Sequence, residues 1–201
     1  MAQLMTLVQL VKIAAAAGIT LTEVGRHDKH NLYVITDPDA IDLYVGKSTA
    51  QKKGKRADDY LRWAELDQTE AIHSGIVALL RENGAAPRCF SYDPGQFEPS
   101  RMAGTIARER WVGGAIDRVQ RRADAGTPPT VEEVEEFLVR VHVRTGRLIG
   151  NSAYASQWEG PIGRYADTAA VLAVDAARGK GILPPGTDIP VDDLDAKKAD
   201  E

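Results

Sequence analysis

Apolar positions near the start of the chain recur at helical spacing and then alternate, which predicts a helix followed by a strand. Apolar residues repeat every three or four positions between Leu4 and Ala15, and Gly18 suits the end of a helix. Residues 19–24 alternate between apolar and polar, the pattern of a short strand. We therefore expect an N-terminal helix next to a sheet.

Two apolar runs separated by a polar turn predict a β-hairpin over residues 31–46. If the turn has four residues, Thr36 pairs with Ile41, and Tyr33 then lies directly opposite Tyr44. Directly opposed residues share one face of a sheet, whereas a slip of one residue separates them. The two phenol rings are therefore expected side by side.

The rest of the chain has mostly helical patterns and one further strand-like segment. The helical patterns cover residues 56–66, 72–81, 102–123 and 166–178. Residues 88–92, bounded by prolines, are a candidate third strand. Thr130 is a good N-cap, and Glu133 three positions later completes a capping-box pattern, so another helix begins there. We expect an α/β (α+β) fold with a small antiparallel three-stranded sheet flanked by helices.

The length of 201 residues fits one domain with additions. We expect residues 1–186 to form this domain, with a helical insertion around 68–125. Residues 187–201 are rich in aspartate and are predicted to be a disordered acidic tail.

Charge is distributed unevenly along the chain, although the net charge is only -4. The segment from Lys47 to Arg56 contains basic residues and no acidic ones, and arginines are frequent over 101–122. A basic groove for nucleic acid is therefore compatible with the composition, although the arginines could equally form a solvated helix face. The candidate nucleic-acid contacts are Lys52, Lys53, Lys55, Arg108 and Arg118.

Several classes of protein are disfavoured by what the sequence lacks. Cys89 is the single cysteine, so neither an intrachain disulfide nor a cysteine zinc cluster can form. The histidines have no paired ligand spacing, and P-loop and dinucleotide-binding motifs are missing. No apolar stretch is long enough for a bilayer, and the apolar start lacks a preceding basic segment, so we expect a cytoplasmic protein.

The paired tyrosines are the main candidate for chemistry. Two adjacent phenols can position a water that attacks phosphorus, or accept its proton if nearby cations such as Lys47 lower their pKa. Tyrosines are also common in strands, and two of them in a hairpin are often only half-buried sheet residues. The tyrosines alone therefore leave the function open.

The hairpin and the residues that follow it resemble the GIY-YIG endonuclease family. Tyr33 and Tyr44 are eleven positions apart, and Tyr-Val-Gly-Lys-Ser, beginning at Tyr44, is a common variant of the family's second element. The family places an arginine on the next helix, often with histidine or tyrosine four residues later, and Arg56 and Tyr60 have this spacing. The first element departs from the pattern, because Asn-Leu-Tyr stands in place of Gly-Ile-Tyr.

Later family positions are matched by a glutamate and an asparagine. Glu135, in Glu-Glu-Phe-Leu-Val, fits the glutamate, and Asn151 fits the asparagine beyond it. Glu136 competes with Glu135 for this position, and Glu109 is a weaker rival. The resemblance covers about residues 30–66 and 130–152, which is less than half of the chain.

The resemblance implies a DNA endonuclease that depends on one divalent metal ion, Mg²⁺ or Mn²⁺. Glu135 would be the protein ligand of a metal ion that stabilises the leaving oxygen, and Arg56 would stabilise charge on the phosphate. Tyr33 would act on the attacking water. The supporting groups would be Tyr44, Lys47, Tyr60 and Asn151. The oligomeric state stays open, and a homodimer is compatible with the pattern.

Two other functions compete with hydrolysis. The chain could be a nucleic-acid-binding module on the same scaffold without activity, or a structural domain in which both tyrosines only pack. Glu135 alone also fits a solvated carboxylate near a helix N-terminus, where negative charge is favoured.

Overall fold

The computed structural model describes residues 5–39, 42–48, 55–65, 78, 80, 81, 84–106, 114–145 and 160–183. The helices, in chain order, are α1 (Leu7–Ala16), α2 (Lys55–Glu65), α3 (Pro99–Ile106), α4 (Gly114–Asp124), α5 (Val131–Arg144) and α6 (Gly160–Gly179). The strands are β1 (Leu21–Val24), β2 (Leu32–Thr36), β3 (Asp42–Lys47) and β4 (Ala86–Tyr92). Residues 78, 80 and 81 are also helical, within the helix expected over 72–81.

The strands form one antiparallel sheet in the order β1-β4-β2-β3. The expected α+β fold is confirmed, but the sheet has four strands rather than three. The additional strand is β1, which lies within the segment 19–24 expected as a strand but not counted in the three-stranded sheet. It pairs with β4 from Leu21 opposite Tyr92 to Val24 opposite Cys89. The segment expected as a helical insertion over 68–125 contains β4, which lies in the interior of the sheet between β1 and β2.

Asn31 extends the pairing of β2 with β4 beyond the regular ladder. Its side-chain amide donates to the carbonyl oxygen of Tyr92 at 2.7 Å and accepts from the Tyr92 amide at 2.8 Å. The Asn31 backbone amide also donates to Phe90 at 3.1 Å. A glycine at this position, as in the family pattern, has no side chain to make these bonds.

Helices cover both faces of the sheet. Leu32, Val34 and Val45 belong to the large core, to which α1, α5 and α6 contribute. On the other face, Tyr33 and Cys89 belong to a smaller cluster that also contains Ile35, Leu80 and Ala85, with Leu61 and Ala64 of α2 packed against it. The alternation of side chains along the strands separates the two layers.

α1 begins later than the apolar pattern indicated, at Leu7, because Thr6 caps it. The Thr6 hydroxyl accepts from the Gln9 amide, and the Gln9 side chain accepts from the Thr6 amide. Gly18 follows the helix with a φ of +76°, and a Cβ there would overlap the carbonyl oxygen of Glu98. Both the backbone conformation and the close contact favour glycine.

α5 begins with the expected capping box, which is confirmed. The Thr130 hydroxyl accepts from the Glu133 amide at 3.2 Å, and the Glu133 carboxylate accepts from the Thr130 amide at 2.8 Å. Arg122 of α4 forms an ion pair with the same carboxylate and donates to the carbonyl oxygen of Pro128 at 3.1 Å. One arginine therefore joins the end of α4 to the start of α5.

We predict that Arg122→Met lowers the free energy of unfolding by about 2–3 kcal/mol, because it leaves the buried Glu133 carboxylate without its cation. The measurement is urea unfolding followed by circular dichroism. Arg101→Ala is the control, since Arg101 pairs with Glu98 on an exposed surface and should cost at most about 1 kcal/mol. Equal losses in the two variants would show that burial does not strengthen the Arg122 pair.

Candidate active site at strand β3

The hairpin brings the two tyrosines onto one face, but in a different register from the one expected. Tyr33 pairs with Gly46, and Tyr44 pairs with Ile35. Thr36 pairs with Asp42 rather than with Ile41, so the connection is one residue longer than four. An irregularity between Ile35 and Thr36 shifts the pairing by one more residue. The prediction of directly opposed tyrosines is therefore wrong. The longer connection and the irregularity each shift the pairing by one residue. Because the total shift is two residues, both rings still lie on the same face of the sheet.

The two rings are stacked as diagonal neighbours. Their centroids are 6.2 Å apart, and their planes are inclined by 24°. The Tyr33 ring extends across the strand position of Gly46, where a Cβ would lie 2.7 Å from Cε2 and closer still to Cζ and the hydroxyl oxygen. The glycine at this position is therefore required by the Tyr33 ring, which places its hydroxyl group against the backbone of β3.

Tyr33 is the more deeply buried of the pair. It is 1% exposed and packs with Ile35, Leu80 and Cys89, whereas Tyr44 is half-buried. Burial raises the pKa of the Cys89 thiol to about 11, so this thiol is protonated and unreactive at neutral pH. Of the two phenols, Tyr44 offers the more accessible surface to a substrate.

Lys47, at the end of β3, contacts two carboxylates of α5. Its Nζ lies 3.5 Å from Oε2 of Glu135 and 3.4 Å from Oε1 of Glu132. Glu135 is buried, whereas the Glu132 side chain is 54% exposed. A hydrogen bond from its own backbone amide in the first turn of α5 lowers the pKa of Glu132, and attraction to Lys47 acts in the same direction. Both carboxylates are therefore within reach of one position beside β3.

The other two glutamates of the run 132–136 have different partners. Glu133 belongs to the cap of α5 and pairs with Arg122. Glu136 lies 3.6 Å from Nη2 of Arg140, one turn further along the helix, and both side chains are buried. Of the two competing residues, Glu135 is therefore the one with an observed contact to the hairpin, through Lys47.

The phenols and the Glu135 carboxylate approach β3 from opposite faces of the sheet. Tyr44 packs in the small cluster beneath α2, whereas Val45 belongs to the core shared with α5. Lys47, two positions after Val45, points to the same face as Val45, in agreement with its ion pair to Glu135. Lys47 therefore points to the face opposite to Tyr44, and carboxylates of α5 compensate its charge.

The remaining predicted site residues fall partly or wholly outside the described residues. Arg56 and Tyr60 belong to α2, whose Leu61 and Ala64 pack on the phenol face, but the description does not extend to their own side chains. The same holds for Lys55 in α2 and Arg118 in α4. The residues that lie wholly outside are Asn151, Lys52, Lys53, Arg108, Glu109 and the tail 187–201.

Sequence reasoning did not single out Glu132 as a partner of the hairpin. The sequence feature that could have identified Glu132 is its position three residues before Glu135, because residues three apart lie on one side of a helix. Carboxylate oxygens are the donors that Mg²⁺ and Mn²⁺ prefer, so the chemistry of this pair fits a divalent ion. Within the described ranges, no group of three or more histidine, cysteine, aspartate or glutamate side chains is arranged to hold a metal.

Comparisons with known proteins add no relative: neither a family model, a curated protein nor a solved structure matches this chain. The likeness to GIY-YIG endonucleases therefore rests on the residues named above. Among the helices that the structure describes, none has the length and apolar character needed to cross a bilayer.

We predict that Gly46→Ala displaces the Tyr33 ring, because the new methyl group occupies the position of Cζ and the hydroxyl oxygen. Overpacking of this kind should cost about 1–3 kcal/mol of the free energy of unfolding. It should also speed the reaction of Cys89, which lies in the same cluster, with an aromatic disulfide reagent.

The matched control is Gly179→Ala at the end of α6, where a Cβ meets nothing within 4 Å. The free energy of unfolding of this variant should stay unchanged or rise slightly, because alanine is a better helix former than glycine. In a Tyr33→Leu background, Gly46→Ala should lower the free energy of unfolding by less than it does in the wild type. An undiminished cost there would contradict the proposed overlap.

Proposed function

We propose that the chain is a divalent-metal-dependent endonuclease of the GIY-YIG type that hydrolyses DNA phosphodiester bonds in the cytoplasm. The observation that carries this proposal is the convergence of distant chain segments on the end of β3. Tyr33 and Tyr44 stack on one face of this strand. Glu135, about ninety positions further on, reaches Lys47 on the other face.

The order of residue types along the chain supports the proposal. Tyr33, Tyr44, Arg56, Glu135 and Asn151 follow the family order, and α2, which carries Arg56, packs on the phenol face. A metal ion bound at Glu135 would supply Lewis-acid stabilisation of the leaving oxygen.

The roles of the chain's own groups follow from their exposure and charge. The resemblance assigns the attacking water to Tyr33, but Tyr33 is buried and Tyr44 is half-buried. We therefore propose that Tyr44 contacts the substrate or the attacking water, with the Tyr33 ring stacked against it. The Arg56 guanidinium would balance charge that grows on the phosphate. Glu132 adds a second carboxylate next to Glu135, and Lys47 compensates both of them in the free protein.

Because of the position of β3 in the sheet, one substrate phosphate could contact groups on both faces. It is the last strand in the order, so no described strand covers its outer side. A phosphate bound at this edge, next to Gly46 and Lys47, would lie between the phenol face and the carboxylate face. The proposed site is therefore the edge of the sheet rather than one of its surfaces.

One observation favours a second candidate function, which is nucleic-acid binding without hydrolysis. Glu135 is paired with Lys47 and lies on the face opposite to the phenols. If the ion pair between Lys47 and Glu135 persists with substrate bound, the carboxylate stays engaged by Lys47 and does not bind a metal ion. A protein that binds DNA in Mg²⁺ but never cleaves it would match this alternative.

We predict that Glu135→Gln lowers Mg²⁺-dependent nicking of supercoiled DNA at least about 100-fold, because the variant loses the carboxylate proposed to bind the metal. Arg56→Ala should produce a loss of similar size. The measurement is the initial rate of conversion of supercoiled to nicked circles, with Mg²⁺ and with Mn²⁺.

Glu136→Gln is the matched control, since it makes the same chemical change on the same helix in a residue that pairs with Arg140. It should retain activity within a few-fold of wild type. Activity that survives Glu135→Gln but not Glu136→Gln would reverse the assignment. Absence of cleavage in the wild type with either metal would refute the hydrolytic function.

A further inference from the structure

The connection between β1 and β2 is an exposed basic loop that the proposed active site does not use. In residues 25–30, Arg26, His27 and Lys29 are exposed. The Asp28 amide donates to the Gly25 carbonyl at 2.9 Å, and the Gly25 amide donates to the Asp28 carboxylate at 2.9 Å. These two bonds fix the turn and engage its acidic side chain, while the basic side chains remain accessible.

An ion pair attaches this loop to the first turn of α2. Arg26 Nε lies 3.2 Å from Oδ1 of Asp58, and His27 Nδ1 lies 4.0 Å from Oδ2 of the same carboxylate. Asp58 follows Lys55 and Arg56 along the helix. The loop therefore lies next to the end of α2 where the basic segment of the sequence enters the helix.

The loop and the phenols are on the same side of the sheet. Leu61 and Ala64 of α2 pack against the cluster that contains Tyr33 and Tyr44, and the same helix contacts Arg26 through Asp58. A substrate backbone bound at the edge of β3 would have α2 and this loop on its phenol side.

Local charge favours an anionic partner. The loop and the first turn of α2 contain four lysines and arginines against two aspartates, a balance of +2. Arg26 pairs with Asp58, but its side chain is still 47% exposed. Among the described residues, no carboxylate lies within ion-pair distance of Lys29. Lysine and arginine side chains in such a position bind phosphate oxygens irrespective of base sequence.

We infer that the loop 25–30 is a phosphate-binding surface that holds the nucleic-acid backbone next to the site on β3, with Arg26 and Lys29 as its contacts. The identity of the partner rests on the proposed nuclease function. The loop residues position the substrate and do not touch the reacting atoms.

The test is equilibrium binding of a fluorescent duplex in EDTA, so that no cleavage occurs, at several KCl concentrations. Arg26→Ala with Lys29→Ala should weaken binding several-fold and lower the slope of log K against log salt by about two. Lys29→Ala alone, which removes no ion pair among the residues that the structure describes, should lower the slope by about one. The control is Lys12→Ala with Lys180→Ala, two exposed lysines of the α1 and α6 region beyond the other face, which should leave the slope unchanged.

Lys29→Glu provides a second variant, which should weaken binding more than Lys29→Ala because it adds a repulsive charge. Slopes in the loop variants equal to those of the control would overturn the inference, even if the wild type cleaves DNA. A wild type that binds no duplex would also overturn it. A reduced slope without Mg²⁺-dependent cleavage would support this surface while the nuclease function fails.

Discussion

The contact between the Tyr33 ring and the backbone of Gly46 is the constraint on which the rest of the site depends. It fixes the register of the central hairpin, because only a glycine leaves room for the ring at this position. With that register, Tyr44 stacks on Tyr33, and Lys47 points to the other face. A shift of one residue would bury the Lys47 ammonium among the apolar residues under α2 and separate the two phenols.

The second constraint is the orientation of α5. The capping box of Thr130 and Glu133, together with Arg122, determines where the helix begins and how it is rotated. Because residues three apart share one side of a helix, this rotation directs Glu132 and Glu135 to the hairpin. The glutamates of one short acidic run therefore have separate roles, as a cap, as a partner of a buried arginine, and as carboxylates at β3.

These two constraints place the charged groups around the edge of the sheet. The phenol face is bordered by α2 and by the basic loop attached to it, and the opposite face carries the carboxylates of α5. Cations therefore border one face of the sheet, and carboxylates border the other. Under the proposed function, the cations would hold the phosphate backbone and the carboxylates would bind the metal ion. The chain's small net negative charge is no obstacle, because the distribution of charge matters more than its sum.

The sequence by itself determined the elements and their caps. Helical spacing, strand alternation and the Thr130 box are local, and each depends on residues a few positions apart. Tertiary structure decided the rest: the place in the sheet of the strand expected over 19–24, the hairpin register and which glutamates contact Lys47. The register depends on a bulge and on the contact of Tyr33 with Gly46, and neither leaves a periodic signal. The partner of Glu135 depends on how α5 packs against β3, which only long-range contacts fix.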